Sequence, residues 1–345
     1  MTIRLNLNEV PYPPSPKVID EVTKFIKVCN RYPPSSIYKR LKESIAIYND
    51  VRYGNVLVDS GATNILHMIL VRAKKLGGRV ITYRPTFPYP LEYAKNIGIQ
   101  VLYVDLDREF RLHIEDLLQL DPKENDVIMI VNPNNPTGNI VLGSVSHMRE
   151  LLNSGALVIH DEVYFEFSGF TFKDLIKDYD NLVIVRSLSK AFALAGFRVG
   201  YALASEELVS ELRNYQQYYS IPTVSVVAAI AALSDLDYMR FIVSNVIKER
   251  EWVLNRLNEI KGISPYRSLT NFILISLKDI GVKGEEMFNY LKQNGVYVTY
   301  YPHEPRLTYC IRVSIGLREE NDCLLYTSDA ADDGESVDLG GRRII

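Results

Sequence analysis

The chain has 345 residues, room for about two domains at roughly 150 residues each. Its 47% hydrophobic and 23% charged residues exclude a disordered, collagen-like or disulfide-framework protein. A net charge of −3 points to no partner: no basic stripe suggests nucleic acid, and no apolar run is long enough to cross a membrane as a helix. Three cysteines form no framework and show no metal-ligand spacing, and the N-terminus lacks the layout of a signal peptide, so a cytoplasmic protein is expected.

In chain order, residues 1–35 are rich in proline and read as an extended arm with one short helix. Strands are predicted at 80–83, 101–104, 127–131, 156–160, 182–186 and 199–202, as near-continuous apolar runs of the kind covered on both faces. Helices at 64–75, 89–97, 145–153 and 206–215 lie between or beside them. The alternation predicts an α/β domain with a mostly parallel sheet and helices on both faces. A long helix over about 238–260 follows, then a strand at 272–276, a helix at 284–293 and strands at 296–300 and 310–315, a smaller α+β unit. The expected organisation is an arm (1–35), a large domain (36–237) and a small C-terminal domain (238–322).

From Cys323 the amphipathic pattern stops. Residues 323–332 and 337–345 resemble, in order, two blocks of a translated transposon-end sequencing adaptor. Residues 323–345 are therefore expected to be a non-native read-through tail that adds nothing to the fold. Without its five acids and two arginines the chain holds 37 residues of each sign.

Four segments carry chemistry. Ser187-Leu188-Ser189-Lys190 directly follows an apolar strand. Lys190 is either a surface loop lysine or a partly desolvated, nucleophilic Schiff-base amine; two hydroxyls and Arg198 beside it could hold a phosphate. Residues 132–138, NPNNPTG, form a rigid turn after another strand. His160-Asp161-Glu162-Val163-Tyr164 aims Asp161 at the carboxyl edge of the sheet, where open α/β sheets bind ligands. Asp161 could cap a helix or pair with a protonated pyridine nitrogen. Ser60-Gly61-Ala62-Thr63 precedes a helix, as an ordinary cap or as an anion site.

Together and in this order, these segments resemble the fold type I pyridoxal-phosphate aminotransferases, over essentially residues 3–322. LNLNEVPYPPSP near the N-terminus, NRYPP at 30–34, SLSKAFALAGFRVGY at 187–201, TNFILI at 270–275 and IRVSIGLREEN at 311–321 look like the histidinol-phosphate aminotransferases within that family. The resemblance implies a seven-stranded sheet, pyridoxal 5′-phosphate as cofactor, and a homodimer with shared active sites. It implies that Lys190 holds the cofactor and shuttles a proton, that Asp161 keeps the ring nitrogen protonated, and that Asn135 and Tyr164 bond the phenolic oxygen. Ser187, Ser189, Arg198 and the backbone at Ala62 and Thr63 would grip the phosphate, with Tyr32 reaching it from the other subunit. Arg312 would take the anionic end of the substrate, and Tyr12 would close over it.

Two positions depart from the pattern. Where the family places a ring-stacking aromatic stands Pro90, and the neighbouring Tyr89 is taken for the role. Where the histidinol-phosphate enzymes carry an arginine, thirteen residues before Arg312, stands Thr299; Arg306 is the candidate substitute. The implied reaction moves an amino group between histidinol phosphate and 2-oxoglutarate, giving imidazole-acetol phosphate and glutamate, so the partners are a small-molecule amino donor and a phosphorylated keto acceptor. The alternatives are an aromatic or other amino-acid aminotransferase, a threonine-phosphate decarboxylase, or a non-catalytic domain of the same fold.

Overall fold

A computed structural model describes residues 2–329. The chain divides into two compact units. Among the described residues, one comprises Pro13–Asn135 and Ile140–Arg240; the other comprises the arm up to Tyr12, Pro136–Asn139 and the residues from Phe241 to Asp329. The arm is thus not a unit of its own. Its first residues pair with the C-terminal part, the short strand Ile3–Arg4 lying parallel to Val296–Tyr297. Its later residues form helix α1 (Pro16–Phe25), capped by the Ser15 hydroxyl.

The larger unit is built on a seven-stranded sheet: β1 (Val56–Asp59), β2 (Val80–Arg84), β3 (Val101–Asp105), β4 (Val127–Val131), β5 (Leu157–Asp161), β6 (Leu182–Ser187) and β7 (Gly200–Leu203). The order across the sheet is β1-β7-β6-β5-β4-β2-β3. Strand β7 pairs antiparallel with both its neighbours, while the other pairs are parallel. Every residue of β4, β5 and β6 is buried, as helix-covered parallel strands require. Helices α2 (Ser35–Asn49), α3 (Gly61–Lys75) and α4 (Tyr89–Asn96) flank the first strands. Strand β1 and helices α2 and Thr223–Leu233 were not predicted. The last is apolar almost all round, so it presents no helical period to read.

In the other unit, β8 (Phe272–Ser276) pairs antiparallel with β10 (Cys310–Ser314), and β10 with β9 (Thr299–Tyr300). The register sets Thr299 directly opposite Arg312. The C-terminal helix Arg318–Asp329 corrects the expectation that the fold ends at residue 322. Glu320 and Asn321 accept from the backbone N–H groups of Leu317 and Gly316 at its start. Leu324 and Leu325 are buried at 4% and 8% exposure, so the beginning of the adaptor-like stretch supplies an apolar face. The rest of that stretch, 330–345, lies outside the described residues.

Candidate active site

The carboxyl edge of the large sheet gathers the predicted residues. Asp161 is the last residue of β5 and is buried; its Oδ1 accepts from the Val163 N–H at 3.1 Å. Burial pushes its carboxyl up to about 7; the nearby Glu162 charge adds to this, and the Val163 N–H and the charge of Lys190 oppose it. Ser187 ends the neighbouring β6, and its Oγ accepts from the Ser189 N–H at 3.1 Å, closing a tight turn that leads into Lys190. The Lys190 amine stands 6.0 Å from the centroid of the Tyr164 ring.

The turn after β4 carries Asn135, buried, and is held by its other asparagines. Asn132 clasps the returning chain, accepting from Val141 N–H at 2.9 Å and donating to Leu142 O at 2.8 Å. Asn134 accepts from the Thr86 hydroxyl at 2.9 Å and donates to Pro85 O at 3.0 Å, tying this turn to the one after β2. Asn132 and Asn134 of the motif are thus scaffold that shapes the turn carrying Asn135.

The residues expected to bind phosphate also converge. Helix α3 begins without a side-chain cap, so no side chain of its N-cap competes for its first N–H groups. Gly200 lets this helix start approach β7: a Cβ there would fall 2.1 Å from Ala62 N. Arg198, in the left-handed conformation at φ 53°, turns its Nη1 to 3.5 Å from Ser189 Oγ. A Cβ at Gly61 would fall 2.7 Å from Arg198 Nη2, so the same guanidinium also borders the start of α3. A buried carboxylate that needs a facing cation, an uncapped helix start bordered by a guanidinium that also reaches the Ser189 hydroxyl, and a lysine within electrostatic reach form a donor set that fits pyridoxal phosphate.

Tyr89, at the start of α4, is half exposed, and its ring lies 5.9 Å from that of His67 on α3. Tyr32 is 83% exposed and packs on Tyr219 at 5.0 Å. Tyr12 meets Phe241 edge-on at 5.7 Å. In the smaller unit, Arg312 is buried and donates to Asn6 O at 2.7 Å and to Thr299 Oγ1 at 3.2 Å; Thr299 in turn donates to Asn6 O at 2.8 Å. Arg306 sits on a short turn, Pro305–Leu307, where its charge acts on the Tyr266 phenol.

The family profile described as aminotransferase class I and II matches residues 1–325. The chain belongs to the class I and II aminotransferases. As a member of this family it is a pyridoxal-phosphate-dependent aminotransferase. A histidinol-phosphate aminotransferase from Sulfurisphaera tokodaii is 35% identical over 97% of this chain and 92% of its own length. Among solved structures, a histidinol-phosphate aminotransferase from Sinorhizobium meliloti in complex with pyridoxal-5′-phosphate superposes with a TM-score of 0.83 at 23% identity, covering 94% of this chain and 89% of that one. An L-threonine-O-3-phosphate decarboxylase from Porphyromonas gingivalis superposes at 0.79 with 18% identity, over 95% of this chain and 98% of the other, so the fold alone does not separate the two reactions.

Sequence reading missed the pair Glu162 and Arg186, fully buried beside Asp161 and Ser187. The signal was there: a charged residue inside an apolar strand requires a counter-ion.

Proposed function

We propose that this aminotransferase acts on histidinol phosphate, passing its amino group to 2-oxoglutarate and giving imidazole-acetol phosphate and glutamate. The observation that carries the reading is the 35% identity to a histidinol-phosphate aminotransferase over nearly the whole of both chains. Bound pyridoxal phosphate supplies an aldehyde that carries the amino group and a ring that takes up the electron pair released at the substrate Cα. Lys190 would hold the cofactor and would move the proton at the substrate Cα. Asp161 holds the proton on the ring nitrogen, and facing a cation keeps this carboxylate ionised despite its burial. Asn135 and Tyr164 orient the ring through its oxygen. Ser187, Ser189, Arg198 and the N–H groups of Ala62 and Thr63 hold the phosphate.

The reading gives Arg312 the anionic end of the substrate and Tyr12 and Arg306 supporting contacts. It also makes the protein a homodimer in which Tyr32 serves the partner's site. The exposed Tyr32 packs on the exposed Tyr219, next in sequence to Tyr218 at 96% exposure, and such a cluster of exposed aromatic rings supports this. An aminotransferase for unphosphorylated amino acids is favoured by one observation, the uncharged Thr299 opposite Arg312. Measuring kcat/KM for histidinol phosphate, phenylalanine, tyrosine and threonine phosphate decides between them. Histidinol phosphate is expected to lead; a higher value for any unphosphorylated amino acid overturns the assignment.

A further inference from the structure

Behind the site, Glu162 and Arg186 form an ion pair with almost no exposure, Arg186 being among the largest fully buried side chains of the described residues. Arg186 Nε and Nη2 both donate to Glu162 Oε2, at 2.9 and 2.7 Å. The sheet register explains the meeting. Asp161 is the partner of Val185, so the next residues, Glu162 and Arg186, lie side by side at the ends of β5 and β6. Each is therefore adjacent in sequence to a site residue, Glu162 to Asp161 and Arg186 to Ser187.

Every element packed around the pair adds to it. Arg186 Nη1 donates to Asn49 Oδ1 at 2.8 Å, at the end of α2, and its guanidinium lies 3.5 Å over the ring of Phe165. Thr171 donates its hydroxyl to Glu162, and the Phe172 N–H bonds Glu162 Oε1 at 3.0 Å. His160, on β5, meets Glu162 Oε1 through Nδ1 at 2.9 Å and Asn132 Nδ2 through Nε2 at 3.1 Å. The backbone partners of Asn132 fix its Nδ2 as a donor, which leaves His160 Nδ1–H to donate to Glu162. Tyr201 from β7, Glu166 from the turn after Tyr164, and Tyr48 from α2, bonded to Glu166 at 3.2 Å, also face the guanidinium. Burial raises Glu162, but the His160 hydrogen bond and the Arg186 charge outweigh it and hold this carboxyl below its ordinary range.

We propose that Arg186 is a positioning residue: it cancels the charge of Glu162, so that Asp161 is the uncompensated carboxylate offered to the cofactor's ring nitrogen. The inference rests on the pyridoxal-phosphate reading above. Without Arg186, a second buried anion would stand next to Asp161 and raise the proton affinity of whatever the site holds. Without Glu162, a buried cation would stand there and lower it.

The test uses the full-length protein loaded with pyridoxal phosphate and reads the pH midpoint of the bound cofactor's visible absorption, the cofactor's dissociation constant and the melting temperature. Arg186→Met should move the midpoint up and Glu162→Gln should move it down, each on the order of one pH unit. The double variant Glu162→Gln/Arg186→Met should return it to the parental value even if the melting temperature falls. Arg186→Lys, which keeps the charge without the fork, should also leave it in place. If one single variant does not fold, the other single variant and the double variant decide: a shift of the expected sign in the single with an unmoved midpoint in the double supports the proposal, and an unmoved single or a shifted double overturns it. Single-variant shifts of the same sign, or shifts that track melting temperature rather than charge, overturn it as well. Failure of the parent protein to take up the cofactor would refute the underlying reading instead.

Discussion

Replacing Thr299 by arginine would place two guanidinium groups directly opposite each other on antiparallel strands, since Thr299 pairs with Arg312. The hydroxyl now makes two bonds, to Asn6 O at 2.8 Å and from Arg312 Nη2 at 3.2 Å. Losing them costs about 1 kcal/mol each, although Asn6 O keeps its bond from Arg312. Like charges at opposed positions add roughly 0.2–1 kcal/mol of repulsion. The ligand-free variant should therefore melt a few degrees lower. A phosphate monoester reverses the balance, because a second charged hydrogen bond contributes about 1.5–3 kcal/mol, or roughly ten- to hundred-fold in binding. Thr299→Arg should then gain in kcat/KM for histidinol phosphate and change little for phenylalanine. Its melting temperature should respond more steeply to added phosphate than the parent's. If neither quantity responds to phosphate, the reasoning that residue 299 lies where the substrate's anion binds is refuted.

Asp161→Asn keeps the acceptor for Val163 N–H but removes a carboxyl that burial lifts to about 7. A folded-state value above the unfolded one means that Asp161 favours the fold at low pH and loses that contribution as pH rises through about 7. The cofactor-free variant should thus gain in melting temperature over the parent at pH 8 but not at pH 4, while binding pyridoxal phosphate more weakly; an equal gain at both values would contradict this. Gly61→Ala should weaken cofactor binding at least several-fold in an absorbance titration, because Gly61 has φ +76° and the added methyl would displace Arg198. Truncation after Asp322 should lower the melting temperature by several degrees, because it removes the buried Leu324 and Leu325, whereas truncation after Asp329 should not. Equal effects would show that the helix end is dispensable.

The parallel strands were legible because each is an unbroken apolar run bounded by polar residues, as in Val127–Val131. The candidate site was legible because Asp161 and Ser187 end such runs, and in open α/β sheets ligands bind at the carboxyl ends of strands. What escaped depends on register or on contact. A thirteen-residue spacing does not reveal that Thr299 faces Arg312, since the turn between β9 and β10 sets that pairing. Arg186 read as the end of a strand, although its partner Glu162 lies across a strand boundary. The helix past Cys323 escaped because two adjacent leucines make no period, yet both find cover.

The reversed strand β7 has a consequence for which changes of length the protein can accept. Because β7 enters the sheet at the carboxyl edge, the chain passes from Ser187 to Gly200 without crossing a face, and those two residues are register partners. Ser189, Lys190 and Arg198 therefore ride on one short connection fixed at both ends by the same rung of the ladder. A residue inserted anywhere in 188–199 would shift Arg198 against Ser189 and break the contact between them. The parallel strands tolerate more, since their links run through helices whose outer ends lie far from that edge. Natural relatives that differ in length should accordingly differ in those crossovers and hold this connection constant.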